Sequence, residues 1–397
     1  MSTRPRIALL IESSRAYGQG LLRGITAYIR DHRPWSIYQQ ERMMSDDAPA
    51  WLDGWRGDGV IARIESPALL RAIQRLHCPA VDLRGMHDIP GIPLIETDDQ
   101  AVTRLAVAHL AERGFRHFAY CGYQGANFSA RRLKYFLPLV RHAGFEPLVY
   151  EGTATSSPTG ATVQIEGRAL MYERPVADWV ERLPKPVAIM ACNDVRGQQM
   201  LSACRDRGVA VPDDVAVIGV DNDQIICELC DPPLSSVEPN TRQIGYDAAG
   251  LLDRMMAGQR ASRAKTFIGP LGVVARASTD VLAIPDRLVA AALRYIRQHA
   301  CDGIGVEEVL ENVPLSRSTL ERRFARYIGR APKAEITRVQ IERVKQLLRS
   351  TPFPLVQIAD LTGYAHHESM CTIFKRETGK TPGEYRRETG KPTPESA

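Results

Sequence analysis

Five short apolar runs, Gly59-VIARI, Ala80-VDL, His117-FAYCGY, Val187-AIMAC and Val215-AVIGV, punctuate the first part of the chain. Each is bounded by Gly, Pro or Asp, is too short for a helix and is apolar on both faces. That is the pattern of strands buried between helices in a parallel sheet. Amphipathic segments separate the runs, among them Asp98 to Gly114 and Val195 to Gly208, each ending in a glycine suited to a helix C-cap. The alternation makes the class α/β, and its length predicts two doubly wound parallel-sheet lobes over residues 1–283.

The first apolar run, Arg6 to Ile11, leads through a polar loop to Gly18-Gln19-Gly20 and a helix. A dinucleotide fingerprint needs its first glycine in the tight turn after the strand, and a third Gly or Ala three residues beyond the second. Here Ser13 to Tyr17 intervene and Arg23 holds the third position, so no nucleotide cofactor is expected. Glu12, Ser13, Ser14 and Tyr17 remain as a polar and aromatic loop at a strand end.

Composition excludes several classes. The apolar start stops at Glu12, and no stretch is long and apolar enough for a signal-peptide core or a membrane span, which predicts a cytoplasmic protein with no membrane partner. The 8 cysteines form no framework and read as reduced thiols. Cys227-Glu-Leu-Cys230 has metal or redox spacing but lacks the second pair a zinc site wants, so no metal is expected. Asp194 and Asp221 could be drawn as the paired carboxylates of a sugar-cleaving enzyme. No nucleophile elbow, metal triad or phosphate loop accompanies them, and no catalytic residue is assigned.

After Ile284-Pro285 the texture changes, and strand-like runs give way to helix-length segments. Residues 286–397 hold 19 Lys and Arg against 14 Asp and Glu, a surplus of 5, while residues 1–285 hold 32 of each. All the excess positive charge therefore lies in the last part of the chain, where a polyanion is expected to bind. The final Glu388-TGKPTPESA is polar and Pro-rich, the composition of a disordered tail.

An internal repeat defines the region 284–397. Leu320-ERRFARYIGRAPKAE and Met370-CTIFKRETGKTPGEY align at an offset of 50, matching Phe324 with Phe374, Arg326 with Arg376, Gly329 with Gly379 and Pro332 with Pro382. Each follows a shorter helical segment and a tight turn, starting at Val306 and at Leu355, so the region reads as an all-α domain with two helix-turn-helix units. Ser318 and Glu321 have the spacing of a capping box at the start of the second helix. Pro332 to Ser350 reads as one long joining helix with Ile336, Val339, Val344, Leu347 and Leu348 on its apolar side. About 20 helical residues span roughly 30 Å, close to one turn of B-DNA, so one chain can address two successive grooves.

Because Leu320 and Phe324 must face inward, the groove-facing candidates of the first unit are Arg317, Ser318, Glu321 and Arg322. In the second, with Met370 and Phe374 inward, they are His367, Glu368, Ser369 and Thr372. Arg can hold guanine and Ser or Thr several base edges, whereas Arg326, Lys375, Arg376 and Lys380 are placed for phosphates.

The helical region resembles the AraC type of bacterial transcription regulators over residues 286–387, most specifically in Ile358-ADLTGY, Phe374-Lys375-Arg376, Gly379, Thr381-Pro382 and Tyr385-Arg386. Pro314 departs from the glycine often found in the first turn; proline cannot supply a positive φ, so that turn must differ. Residues 6–280 resemble the effector domain of LacI-type repressors and periplasmic sugar-binding proteins. The resemblance rests on Thr97-Asp98-Asp99, Met190-ACND, Gly208-VAVPDDVAVIGVDND, Leu234-SSVEPN, Ile244-GYDAAGLL and Arg276-Ala277-Ser278-Thr279. The combination is similar to the XylR type of xylose operon regulators.

The resemblance implies a sugar-responsive transcription regulator, an activator of a xylose operon. Its implied partners are double-stranded DNA, D-xylose, a second copy of the chain and RNA polymerase. A different sugar or a sugar acid is the alternative effector. A sugar site needs carboxylates and amides for hydroxyls and an aromatic ring for stacking. Ser13 and Tyr17 follow the first strand, while Asn193, Asp194, Asp221 and Asn222 end later ones, and Arg132 starts a helix. By resemblance Arg132, Asp194 and Asp221 contact hydroxyls and Tyr17 stacks. Alternatives stay open: Asp194 as a helix N-cap, Asp221 as a turn residue, Tyr17 as a packing ring, and Arg131 in place of Arg132.

Overall fold

The computed structural model describes residues 4–42, 46, 48–150, 173–259, 261, 264–280, 286–351 and 353–389. The chain divides into two compact units, 1–281 and 282–397. The predicted boundary at 283–284 and most of the polar tail lie outside the described residues.

The first unit contains two six-stranded sheets. With β1 Arg6–Leu10, β2 Ser36–Gln39, β3 Gly59–Ala62, β4 Ala80–Asp82, β5 Leu94–Thr97 and β11 Lys265–Ile268, the first runs β11-β5-β4-β3-β1-β2, all parallel. The second combines β6 His117–Cys121, β7 Pro147–Val149, β8 Val187–Ala191, β9 Val215–Val220, β10 Ser235–Glu238 and β12 Gly272–Val274 in the order β12-β10-β9-β8-β6-β7. Its edge strand β12 is antiparallel to β10, a departure from the all-parallel expectation. The chain passes between the lobes three times: from β5 into helix Asp99–Ala111, from β10 into helix Thr241–Met256, and from β11 into β12.

Polar residues at the strand ends start the helices that follow. Asp98, Asn193, Asp223 and Asn240 each accept a hydrogen bond from a backbone N–H in the first turn, satisfying a group the helix itself leaves open. The glycines expected to end two helices, Gly114 and Gly208, both take a left-handed φ.

The Gly18-Gln19-Gly20 stretch is explained by packing. Helix Ala16–Asp31 lies against helix Thr241–Met256 on the first lobe with backbones almost touching. A Cβ on Gly20 would sit 2.0 Å from Thr241 Oγ1, one on Gly24 2.0 Å from the Arg242 carbonyl, and one on Gly245 2.0 Å from the Leu21 carbonyl. These glycines close a helix–helix seam.

The second unit is helical and has two cores. Helices Arg287–His299, Val306–Glu311 and Arg317–Ile328 bury Leu293, Val309, Leu320 and Phe324; helices Leu355–Asp360 and His367–Thr378 bury Ile358, Met370 and Phe374. The joining helix Pro332–Ser350 serves both: Ile336 and Val339 pack in the first core, and Val344, Leu347 and Leu348 in the second. Gln340, midway along it, donates to the Ala300 carbonyl at 2.9 Å. Both second helices end on a left-handed glycine, Gly329 at φ 74° and Gly379 at φ 75°, as the repeat implies.

The two turns differ, as the proline requires. The second passes through Gly363 at φ 75°, whereas no residue from Asn312 to Ser316 has a positive φ. The expected capping box at Ser318 and Glu321 is not formed. Helix Arg317–Ile328 begins earlier, with Ser316 as its N-cap accepting from the Thr319 N–H, and Glu321 pairs with Arg317. Pro314 favours an extended residue before it, and the chain re-enters the helix as soon as Ser316 can cap it.

Candidate functional site

In a doubly wound sheet the ligand crevice lies beyond the carboxyl ends of the strands where the strand order reverses. In the first lobe that point falls between β1 and β3, whose ends deliver Glu12 and Arg63; in the second it falls between β6 and β8, the latter followed by Asn193 and Asp194. A cavity is found there, lined from the first lobe by Glu12, Tyr17, Arg63, Arg84, Glu96 and Thr97. Facing these are Asp99, Phe128, Arg131, Arg132, Asp194, Asp221 and Asp223.

Arg132 is 4% exposed and lies at the centre of the second lobe's side. Its Nε donates to Asp99 Oδ1 at 2.9 Å, Nη1 donates to the Cys192 carbonyl, and Nη2 lies 3.9 Å from Asp221 Oδ1. The guanidinium also covers the Phe128 ring at 5.3 Å. Burial alone would lower its pKa, but Asp99 and Asp221 reverse that and hold it firmly charged. Arg131 also reaches the cleft, donating to Asp99 Oδ2 at 2.7 Å and to Glu96 Oε1 at 2.5 Å. Both arginines of the pair therefore line the site, since helix Asn127–His142 begins two residues before the predicted Ser129.

Asp221 keeps a side chain 26% exposed and sits at φ 110°, in a strained turn between β9 and the next helix. The Tyr17 hydroxyl shares a 2.8 Å hydrogen bond with Thr97 Oγ1, and the Arg63 guanidinium lies 4.8 Å from its ring centroid. The ring also packs on the first lobe's core, so one of its faces is already occupied. Burial raises the phenol to about 12.

Two of the predicted residues do not line the cavity, and a third lines it with its oxygens already engaged. Ser13 is not among the lining residues: its N–H is held by the Arg42 carbonyl at 3.2 Å, and Glu12, one residue earlier, takes the cleft position. Asn222 also lies outside the lining, with its Oδ1 accepting from Arg276 Nη2 at 2.8 Å and its N–H bonded to Ser236 Oγ. Asp194 is 1% exposed and both its oxygens serve the protein, accepting from Ser236 Oγ at 2.6 Å and from the Asp223 N–H at 2.8 Å. It follows the N-cap, which is Asn193. Burial, reinforced by Asp221, pushes its carboxyl up to about 8.

The sequence marks Glu12 only as part of the polar loop after the first strand, and Arg63, Arg84, Glu96 and Asp99 are not among the predicted contacts. Asp99 lies inside a quoted motif; Arg63, Arg84 and Glu96 end or follow apolar runs whose strand pattern says nothing of the last side chain. Cys227 and Cys230 are buried reduced thiols, and Cys227 hydrogen-bonds to Asp194. Among the described residues no group of His, Cys, Asp and Glu could hold a metal, and no helix is long and apolar enough to cross a membrane.

On the helical unit, Arg317, Ser318, Glu321, Arg322 and Arg326 form an exposed face opposite the buried Leu320 and Phe324. In the second copy Glu368, Ser369, Thr372, Lys375 and Arg376 are exposed and His367 is half-buried. Arg317 is paired with Glu307 and Glu321, and Arg376 with Glu377, whereas Arg322 has no ion pair among the described residues.

Residues 6–100 match the XylR N-terminal domain, residues 107–279 a periplasmic binding protein-like domain and residues 310–388 a helix-turn-helix domain. The chain is 32% identical to the xylose operon regulatory protein of Escherichia coli K12 over 393 residues, covering 96% of this chain and 97% of that one. The Haemophilus influenzae protein of the same name is 32% identical over 390 residues, covering 96% and 98%. Among solved structures, that of the xylose-binding transcription activator XylR aligns with a TM-score of 0.78 and 31% identity over 98% of this chain and 100% of that one. These relatives are regulators, not enzymes. Matching them along nearly its whole length, with a sensing domain followed by two helix-turn-helix units, the chain is a DNA-binding transcription regulator and belongs to the XylR-type family of xylose operon regulators.

Proposed function

We propose that the cleft takes D-xylose, with Arg132 and Asp221 among its contacts, and that occupancy changes how the helix-turn-helix units engage an operator, activating xylose utilisation genes in the cytoplasm. Charge balance supports a neutral effector. Five arginines and six carboxylates line the cleft. Arg63, Arg131 and Arg132 already face Glu12, Glu96 and Asp99, so no surplus cation awaits a sugar acid.

Arg317, Ser318, Glu321 and Arg322 in the first unit, and His367, Glu368, Ser369 and Thr372 in the second, are the proposed base-reading positions. Arg326, Lys375 and Arg376 are the proposed phosphate contacts. A homodimer would bring four such units to the operator, and activation would proceed through RNA polymerase. The activator assigned to XylR in the solved relative supports the sign of control.

Isothermal titration with D-xylose, L-arabinose, D-ribose, D-glucose and D-xylonate tests the effector. Heat from D-xylose alone is expected; heat from D-xylonate alone would move the assignment to a sugar acid. Transcription with purified RNA polymerase is expected to rise with D-xylose, and a fall would make the protein a repressor. Sedimentation should give a dimer.

A further inference from the structure

Two cleft-lining side chains of the first lobe each carry a buried polar atom with no hydrogen-bond partner among the described residues. Glu96, at the end of β5, is 5% exposed. Its Oε1 accepts from Arg131, while Oε2, beside Gly85, is buried and finds no donor among the described residues. Arg63, just beyond β3, is 8% exposed; its Nη1 donates to Glu12, while Nε is buried and finds no acceptor among them. Buried polar groups in native proteins are satisfied almost without exception, and an orphan at a binding site calls for a partner the ligand brings. One orphan is an acceptor and the other a donor, and both belong to the wall that faces Arg132 and Asp221.

We propose that Glu96 and Arg63 form a specificity-determining pair for the effector. Glu96 Oε2 accepts the hydrogen of one sugar hydroxyl, and Arg63 Nε donates to the oxygen of another. A polyol supplies both complements at once, since each hydroxyl is a donor and an acceptor. A ligand lacking the hydroxyl that Glu96 receives leaves a carboxylate oxygen buried and unpaired, which is how a site rejects a near-isosteric analogue. The inference rests on the sugar reading of this cleft.

Glu96 also adds a pH signature. Burial pushes its carboxyl up to about 7, opposed by Arg131 and Arg84 and assisted by Asp99; Arg63 and the Tyr17 hydroxyl also face it. An ionised Glu96 is the better acceptor, so the affinity contributed by this contact is full above pH 7 and declines as pH falls through it. Asp194 titrates in a neighbouring range, so the comparison must be made against Glu96→Gln, which leaves Asp194 in place.

The test is isothermal titration of the full-length protein with D-xylose and its monodeoxy analogues, using wild type, Glu96→Ala and Glu96→Gln. Wild type is expected to lose about 10- to 100-fold on one analogue, the range of a hydrogen bond to a charged group. Glu96→Ala should lose a comparable factor on D-xylose yet bind that analogue no worse than D-xylose. Wild type should weaken from pH 8 to pH 6 more than Glu96→Gln does. If Glu96→Ala binds D-xylose as tightly as wild type, or weakens equally toward every analogue, the pair is overturned while the sugar reading stands. If wild type gives no heat with D-xylose, both fall together.

Discussion

The sensing region and the DNA-binding region carry charge in opposite ways. In the cleft, charges are drawn inward and matched: the Arg132 and Asp99 side chains are each 4% exposed. On the helix-turn-helix face they are turned outward: Arg317 and Glu307 are 56% and 67% exposed. Buried pairs fix geometry in a low-dielectric site, so a ligand must match them to enter. Exposed charges contribute little to folding and remain available to phosphates and bases. The same residue types are therefore held as a fixed, matched set in one region and as an open, solvated face in the other.

Replacement of Arg132 should have the largest effect. Arg132→Met removes one of the two arginines on buried Asp99, which keeps Arg131, and takes the donor from the Cys192 carbonyl; loss of about 2–4 kcal/mol of stability in the sensing domain is expected, the cost of buried hydrogen bonds that involve a charged group. Chemical denaturation measures it; a change as small as a surface substitution gives would mean that water already reaches the pair. Gly24→Ala forces a methyl onto the Arg242 carbonyl and should cost about 1–3 kcal/mol. A neutral result there would show that the seam yields easily.

Arg322→Ala should leave the melting temperature near wild type and lose about 1–3 kcal/mol of discrimination between operator and random DNA. Equal loss on both DNAs would place Arg322 on phosphate. A smaller effect is expected from pH. Burial raises the Glu96 and Asp194 carboxyls in the folded state to about 7 and about 8, well above the ordinary carboxylate range. Folding therefore takes up protons, and this contribution is complete below the unfolded values and lost as pH rises through 7 and 8. Melting temperature of the sensing domain should fall across that range, less steeply in Glu96→Gln; parallel slopes would exclude Glu96. Arg317→Ala should barely move stability, since its partners are exposed.

Much of the fold was legible because its strongest signals are local. Buried strands such as β8 and β9 are apolar throughout, and the repeat's matched phenylalanines, glycines and prolines reappear at matched positions. The edge strands β2 and β11, which alternate half-buried with exposed residues, give no such run and went unread. At the cleft, the sequence could locate strand ends but not the direction of each side chain. Ser13 and Glu12 are neighbours, yet only Glu12 lines the site, and the N-cap that stood as the alternative for Asp194 falls to Asn193. Glu96 was hidden because its place in the cleft depends on Arg131, which lies 35 positions further along the chain.

The seam between helices Ala16–Asp31 and Thr241–Met256 has a consequence for synthesis. Strands β1 to β5 of the first lobe precede the second lobe in the chain, but the helix Thr241–Met256 on its core and its edge strand β11 are made only after most of the second lobe. The second lobe in turn waits for β12. The two lobes are thus begun far apart and finished almost together, and a nascent chain stopped before residue 241 lacks Ile244, Ala248 and Leu252, the part of the cluster around Leu21 and Ile25 that comes from the later helix. The helix-turn-helix units emerge after both lobes, when the sensor whose signal they carry can already be complete.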